Sequence, residues 1–223
     1  MPVEVMNAFE NEYPVVIIEG NGPTETSPVS YCNTRQGLRK PGSVGIPIPG
    51  VSVKIVDNED NPVPSGEVGE ICVQGRNVMK GYLNQPEATR EAMKGGWFHT
   101  GDLGRIDADG YIFIVDRKKD MIIVGGLNVY PREVEEVIYQ HPKIAEASVV
   151  GKADHLRGEI PKAFVVAKKG ETIEAREIIL HCKEKLANYK VPKEVAVIEA
   201  LPRTSTGKVD KKNLREGDAL GYL

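Results

Sequence analysis

The sequence predicts a fold of mixed α/β and α+β character in two parts. Residues 1–115 read as the end of a larger α/β domain, with a partial sheet and an antiparallel β subdomain. Residues 121–223 read as a small α+β domain, and the stretch 116–120 joins the two. Three observations carry this. Val15–Ile18 is a continuous apolar run, the pattern of a strand buried on both faces, yet no similar run follows closely. Such a strand needs neighbours, so the chain reads as starting inside a fold. Residues 42–115 alternate apolar and polar between turn signals, the mark of antiparallel strands. From Glu133 onward, helix and strand periods follow each other in short alternation.

Taken in order, residues 3–11 predict a short helix with Val3, Met6 and Phe9 on one face. After Val15–Ile18, the segment Glu19-Gly20-Asn21-Gly22-Pro23-Thr24-Glu25-Thr26 reads as a turn. Its Gly20-x-Gly22 is not a dinucleotide fingerprint, because Glu25 stands where the third glycine belongs and Pro28 opposes a following helix. Val51, Val53 and Ile55 alternate with Ser52 and Lys54, and the polar segment Asp57–Gly66 turns back into a strand at Val68–Gln74. A short helix is expected within Tyr82–Met93, then a hairpin from Gly104 to Val115 with Asp109-Gly110 at its tip.

In the second part, Pro131 stands at a plausible first helical position, followed by Glu133, Glu135 and Glu136 and by Val134, Val137 and Ile138 at helical spacing. Strands are expected near 144–150 and 160–167, then a helix over 173–187 that buries Ile178, Ile179, Cys182 and Leu186. A strand at 194–199 and a last short helix close the chain. Asp116 to Asp120 are five consecutive charges, which cannot enter a core unpaired and so belong on a surface or interface. Gly125-Gly126 allows a tight turn and close approach of another group.

The bulk numbers exclude several classes. A chain of 223 residues is long enough for one or two domains with real cores. A net charge of -3 gives no electrostatic footprint for nucleic acid. Cys32, Cys72 and Cys182 are far apart, and with His99, His141, His155 and His181 they form no metal-ligand spacing. No apolar run reaches the roughly 18 residues of a membrane span, and no signal peptide opens the sequence. The expected setting is reducing and cytoplasmic.

Three ordered motifs carry a resemblance. The stretch Asp116-Arg117-Lys118-Lys119-Asp120 through Gly125-Gly126-Leu127-Asn128-Val129-Tyr130-Pro131 resembles the hinge motif of the adenylate-forming acyl-CoA synthetases. Trp97-Phe98-His99-Thr100-Gly101-Asp102 lies upstream, and Pro202-Arg203-Thr204-Ser205-Thr206-Gly207-Lys208 lies near the C-terminus. On its residues alone the first stretch would serve as a charged linker followed by a turn. Asp102 alone would serve as an aspartate satisfying turn amides. The last loop fails as a P-loop, since Pro202 stands where a glycine is required. Together they are similar to the C-terminal portion of a medium- or long-chain fatty-acyl-CoA ligase.

That resemblance implies the end of a large AMP-binding domain, with a distorted antiparallel subdomain, followed by a small mobile C-terminal domain. It implies ATP, AMP, Mg2+ and CoA as ligands and a fatty acid or other carboxylic acid as substrate. By the same resemblance, Gly22 and Thr24 belong to the nucleotide loop, with Thr24 on the α-phosphate and Glu25 on Mg2+. Asn21 stands where most members carry tyrosine. Asp102 and Arg117 are implied as ribose contacts, Lys119 as the hinge, Gly125 and Gly126 as the lining of the pantetheine tunnel, and Lys208 as the catalytic lysine.

The upstream phosphate loop and the acyl pocket of the family have no counterpart in this sequence. The chain alone is therefore expected to be inactive, and to associate with itself or with a separate N-terminal half. Two other readings share these motifs: an adenylating domain that loads a carrier protein, and a non-catalytic nucleotide-binding or assembly module. A thiol-trapping assay separates the first from a CoA ligase.

Overall fold

The computed structural model describes residues 3–219. The chain forms two compact units, Val3–Lys119 and the part from Asp120 onward. Both mix short helices with antiparallel sheet.

The first unit opens with helix α1 (Val3–Glu12). Of the face expected to be apolar, Met6 is buried, while Phe9 is exposed and stacks on Tyr13 with ring centroids 4.7 Å apart. The expected buried strand at Val15–Ile18 is not there. The segment carries no strand assignment, and Val16 is 67% exposed. Side chains take the place of a neighbouring strand. The Ile17 N–H donates to Glu10 Oε1 at 2.7 Å, and Arg39 donates to the Ile17 carbonyl at 3.0 Å while also pairing with Glu10.

Strands β1 (Gly20–Asn21), β2 (Tyr31–Cys32) and β3 (Ile46–Pro47) form a small antiparallel sheet in that order. The larger sheet of this unit contains β4 (Val51–Val56), β5 (Gly69–Gly75), β6 (Met93–Lys94), β7 (Trp97–Ile106) and β8 (Ile112–Arg117). Its order is β4-β5-β7-β6, with β8 also paired to β7. Helix α2 (Pro86–Ala92) precedes β6 and lies within the expected span, with Asn84 at a positive φ of 55° just before it. Tyr31, Val44, Ile55, Ile71, Val73 and Ile112 form the core between the two sheets' residues. The Asp109-Gly110 tip is set by Asp107 Oδ1, which accepts from the N–H groups of Asp109 and Tyr111 at 3.0 and 2.9 Å.

The second unit begins with a hairpin, β9 (Ile122–Val124) and β10 (Leu127–Val129). It continues through helix α3 (Pro131–Tyr139), strands β11 (Ile144–Asp154) and β12 (Gly158–Ala167), helix α4 (Ala175–Lys183), strand β13 (Glu194–Val197) and helix α5 (Lys211–Ala219). The sheet order is β10-β9-β12-β11, and β13 pairs in parallel with β12. Alternation along the strands gives the sheet two buried faces. Val149, Ala163 and Val165 cluster with Val134 and Ile138 of α3 and Ile178 and Cys182 of α4. Val150 and Phe164 cluster with Leu201 and with Leu214 of α5. Helix α4 stops earlier than its apolar period suggests, yet the Leu186 N–H still donates to the Cys182 carbonyl at 2.9 Å and Leu186 packs on the core.

The charged stretch 116–120 differs from a uniformly exposed surface. Asp116 and Asp120 are 8% and 9% exposed, whereas Arg117, Lys118 and Lys119 face water. The acids tolerate burial because each is hydrogen-bonded: Asp120 accepts from Arg215 at 2.6 Å, and Asp116 Oδ1 accepts from the Arg117 N–H at 2.7 Å. Among the described residues, no helix is long and apolar enough to cross a membrane.

Candidate functional site

An open cleft of about 480 Å³ in the first unit is lined by Glu25, Thr100, Gly101, Arg117, Lys118 and Lys119. Pairing of β7 with β8 sets Asp102 directly opposite Arg117. Cross-strand neighbours of this kind meet side by side, and Arg117 Nε donates to Asp102 Oδ1 at 3.2 Å. Asp102 is buried, while Arg117 stays exposed on the rim. Gly101 adopts a φ of 71°, a conformation glycine takes without penalty. This lets the strand kink at the cleft while Asp102 keeps its register.

A carboxylate that the sequence reading missed holds this kink. Glu70 Oε1 accepts from the Gly101 N–H at 3.1 Å, and its Oε2 accepts from Lys118 Nζ at 3.1 Å and lies 3.4 Å from His99 Nδ1. Burial pushes the Glu70 carboxyl up, but Lys118 and His99 more than offset this and leave it below the ordinary range. Thr100 completes the brace, donating from Oγ1 to the Ile71 carbonyl at 2.8 Å and accepting from the Asp102 N–H at 3.1 Å. The available signal was an acid embedded in the apolar run Gly69–Val73, where every residue is buried.

The loop between β1 and β2 supplies the opposite lining. A side chain at Gly22 would meet the Pro28 carbonyl at 2.3 Å and the Ser30 nitrogen at 2.7 Å, so glycine is needed for the loop to close on itself. Thr24, Glu25 and Thr26 form a 3-10 turn. Thr26 is buried and ties the turn down, with Oγ1 donating to the Pro23 carbonyl at 2.9 Å. Thr24 is exposed, and Glu25 is half-buried and faces the cleft. Tyr82, also unforeseen, donates from its hydroxyl to Glu25 Oε1 at 2.8 Å. Among the described residues no group of three acids, histidines or cysteines could hold a metal ion unaided.

The remaining candidates lie in the second unit. Gly125 and Gly126 have φ of 57° and 86° and form the two-residue turn that joins Val124 to its partner Leu127. Positive φ at both positions is the requirement of a type I′ hairpin. An added Cβ at either would meet nothing within 4 Å, so the turn stands open. Lys208 is exposed at the end of a tight loop. The Thr204 N–H donates to the Lys208 carbonyl at 2.8 Å, and Gly207 turns the chain at a φ of 81°. Arg203 clamps this loop, donating to the Gly207 carbonyl at 2.9 Å and to Glu146 of β11 at 2.7 Å.

The structure thus gathers Glu25, Arg117 and Lys119 on one cleft, with Asp102 bonded to Arg117 at its edge. Chemically, the cleft offers one half-buried carboxylate, Glu25, and the exposed cations Arg117, Lys118 and Lys119, with the buried Asp102 carboxylate bonded to Arg117 beside it.

Two family models match the chain. One, described as AMP-binding enzyme, covers residues 1–83. The other, described as AMP-binding enzyme C-terminal domain, covers residues 133–208. A long-chain-fatty-acid–CoA ligase of Bacillus subtilis (strain 168) is 45% identical over 217 residues, which is 97% of this chain and 39% of that protein. One of Escherichia coli O6:H1 is 44% identical over 200 residues, 90% of this chain and 36% of that protein. The crystal structure of ATP-bound MatB from Rhodopseudomonas palustris superposes with a TM-score of 0.94 at 38% identity, covering 99% of this chain and 44% of that one. The chain therefore spans about two fifths of the length of the curated relatives it matches.

Proposed function

The chain belongs to the AMP-binding enzyme family, and from that premise we propose that it forms part of a fatty-acid–CoA ligase. In that reaction ATP and a carboxylic acid give an acyl-adenylate and pyrophosphate, and the thiol of CoA then displaces AMP. A long-chain fatty acid is the substrate class by which those ligase relatives are named. The observation that carries the reading is the register of Asp102 against Arg117 at the edge of a cleft that Glu25 also lines.

In this reading Asp102 accepts from the ribose hydroxyls and Arg117 supports the same sugar. Thr24 meets the α-phosphate, beside the tight closure that Gly22 permits. Glu25 fits a divalent cation shared with the nucleotide. Mg2+ is commonly held by one or two carboxylates together with substrate phosphates, and Glu25 is the one carboxylate among the six lining residues. When bound, the cation neutralises phosphate charge. Lys208 brings an ammonium to the reacting carboxylate and phosphate, residues 116–120 are the hinge, and the domain beyond it, 121–223, is the lid. The open Gly125-Gly126 turn leaves room for pantetheine. The cysteines Cys32, Cys72 and Cys182 are all free, which supports a reducing, cytoplasmic setting.

The test is calorimetry on this chain with AMP or ATP at millimolar concentration. Weak binding is expected, and Asp102→Ala should weaken it by about tenfold or more, since a hydrogen bond to a charged group is worth about 1.5–3 kcal/mol. Equal binding by parent and variant would remove Asp102 from the nucleotide site.

We further propose that the apolar side chains exposed at Phe9, Tyr13, Val15, Val16 and Ile18 are covered by a second copy of the chain or by a separate N-terminal half. With a second copy, light scattering of the purified chain should report a species larger than the monomer, and Val16→Asp should shift it toward monomer. A strictly monomeric parent at high concentration would sink the second-copy reading.

A further inference from the structure

We propose that Tyr82 is a positioning residue for Glu25: its phenol fixes the carboxylate in the orientation that meets a divalent cation on the nucleotide phosphates. The proposal rests on the reading of Glu25 given above and adds a residue that no sequence motif assigned.

The segment 77–82 grips the Glu25 turn at three points. Asn77 Nδ2 donates to the Thr26 carbonyl at 2.9 Å, and the Met79 N–H donates to the Glu25 carbonyl at 2.8 Å. These two bonds hold the backbone of the turn. The third, from the Tyr82 hydroxyl to Glu25 Oε1 at 2.8 Å, touches only the carboxylate. A glutamate on a half-exposed turn otherwise samples several rotamers, and fixing such a long side chain costs conformational entropy. With Oε1 committed to the phenol, the carboxylate keeps one heading toward the cleft, and the tyrosine bears that ordering before any ligand arrives.

Tyr82 is itself held in place. Its N–H donates to Thr89 Oγ1 at 2.9 Å, and Thr89 Oγ1 in turn donates to the Gln85 carbonyl at 2.9 Å. Gly81, just before it, has a φ of 154°, and a Cβ there would meet Thr89 Cγ2 at 2.7 Å. The chain therefore reaches Tyr82 along a path that a side chain at position 81 would obstruct. The anchoring runs from helix α2 through Thr89 and Tyr82 to Glu25. Because the backbone bonds from Asn77 and Met79 do not involve the phenol, Tyr82→Phe should leave the turn intact and release only the carboxylate.

The experiment compares ATP binding in excess Mg2+ with ATP binding in EDTA, by calorimetry, for the parent chain, Tyr82→Phe and Glu25→Gln. AMP binding in EDTA serves as the control for an intact ribose site. Outer-shell partners of metal ligands typically contribute 10–100-fold to metal affinity. Tyr82→Phe should therefore reduce the factor by which Mg2+ tightens ATP binding by about tenfold, with AMP binding unchanged. Glu25→Gln should abolish that factor. If Glu25→Gln keeps the parent's Mg2+ dependence, the cation reading of Glu25 fails and the Tyr82 proposal with it. If Glu25→Gln loses the dependence while Tyr82→Phe matches the parent, Tyr82 is not a positioning residue and the Glu25 reading survives. Loss of AMP binding in Tyr82→Phe would make its role structural and overturn the proposal. A parent that binds ATP equally with and without Mg2+ would overturn both.

Discussion

In a ligase assembled with this chain, Lys208→Ala is expected to slow acyl-adenylate formation by about three orders of magnitude. Attack of a carboxylate on the α-phosphorus gathers negative charge on both reacting groups and on departing pyrophosphate. An ammonium about 4 Å away is worth up to ~4 kcal/mol at an effective dielectric near 20, which is close to three decades in rate. The loop suits such a task. Lys208 is exposed at the end of a short turn whose backbone closes through Thr204, and Arg203 pins that turn to Glu146 on β11. The charge is thus carried on a fixed base and not on a floppy tail. Thioester formation from supplied acyl-adenylate and CoA involves no pyrophosphate departure and should be largely spared. Assaying the two half-reactions separately checks this, and equal damage to both would remove Lys208 from the adenylation step.

Local chemistry was what the sequence made legible. The Gly125-Gly126 turn, the Asp109-Gly110 tip and the start of α3 at Pro131 each follow from residues within a few positions, and all three are found. The apolar run Val15–Ile18 reads as a strand buried on both faces, and it is neither a strand nor buried. Ile17 meets its backbone hydrogen bonds through the side chains of Glu10 and Arg39 instead. Burial of Asp116 and Asp120 was missed for a similar reason. Arg215, the partner of Asp120, is 95 residues away, and no local pattern announces it. The same distance problem hid the contacts behind the cleft. Tyr82 reaches Glu25 across 57 residues, and Lys118 reaches Glu70 across 48. Motif spacing pointed to Glu25, Arg117 and Lys119, which line the cleft, and only tertiary structure could supply the residues that hold them.

Substitution of Lys119 by proline is expected to cripple one half-reaction of the assembled ligase and leave the other much less affected. The anchors on either side of this residue explain why it is the proposed pivot. Arg117 and Lys118 are tied within the first unit, to Asp102 and Glu70. Asp120, where the second unit begins, is tied within its own unit to Arg215. Lys119 lies between these anchors, exposed and in a single 3-10 turn, so its backbone torsions are the ones left to change. Proline holds φ near -65° and restricts the residue before it as well. A lid orientation that requires another φ would then be disfavoured by on the order of 3 kcal/mol, and the step that uses it should slow by about two decades. Lys119→Ala, which keeps φ free, should leave both steps near the parent rate, so the comparison isolates the torsion from the lost charge. Adenylate formation and thioester formation measured separately for the two variants decide the matter. A proline variant that loses both half-reactions equally, or an alanine variant as impaired as the proline one, would mean that Lys119 is not the pivot.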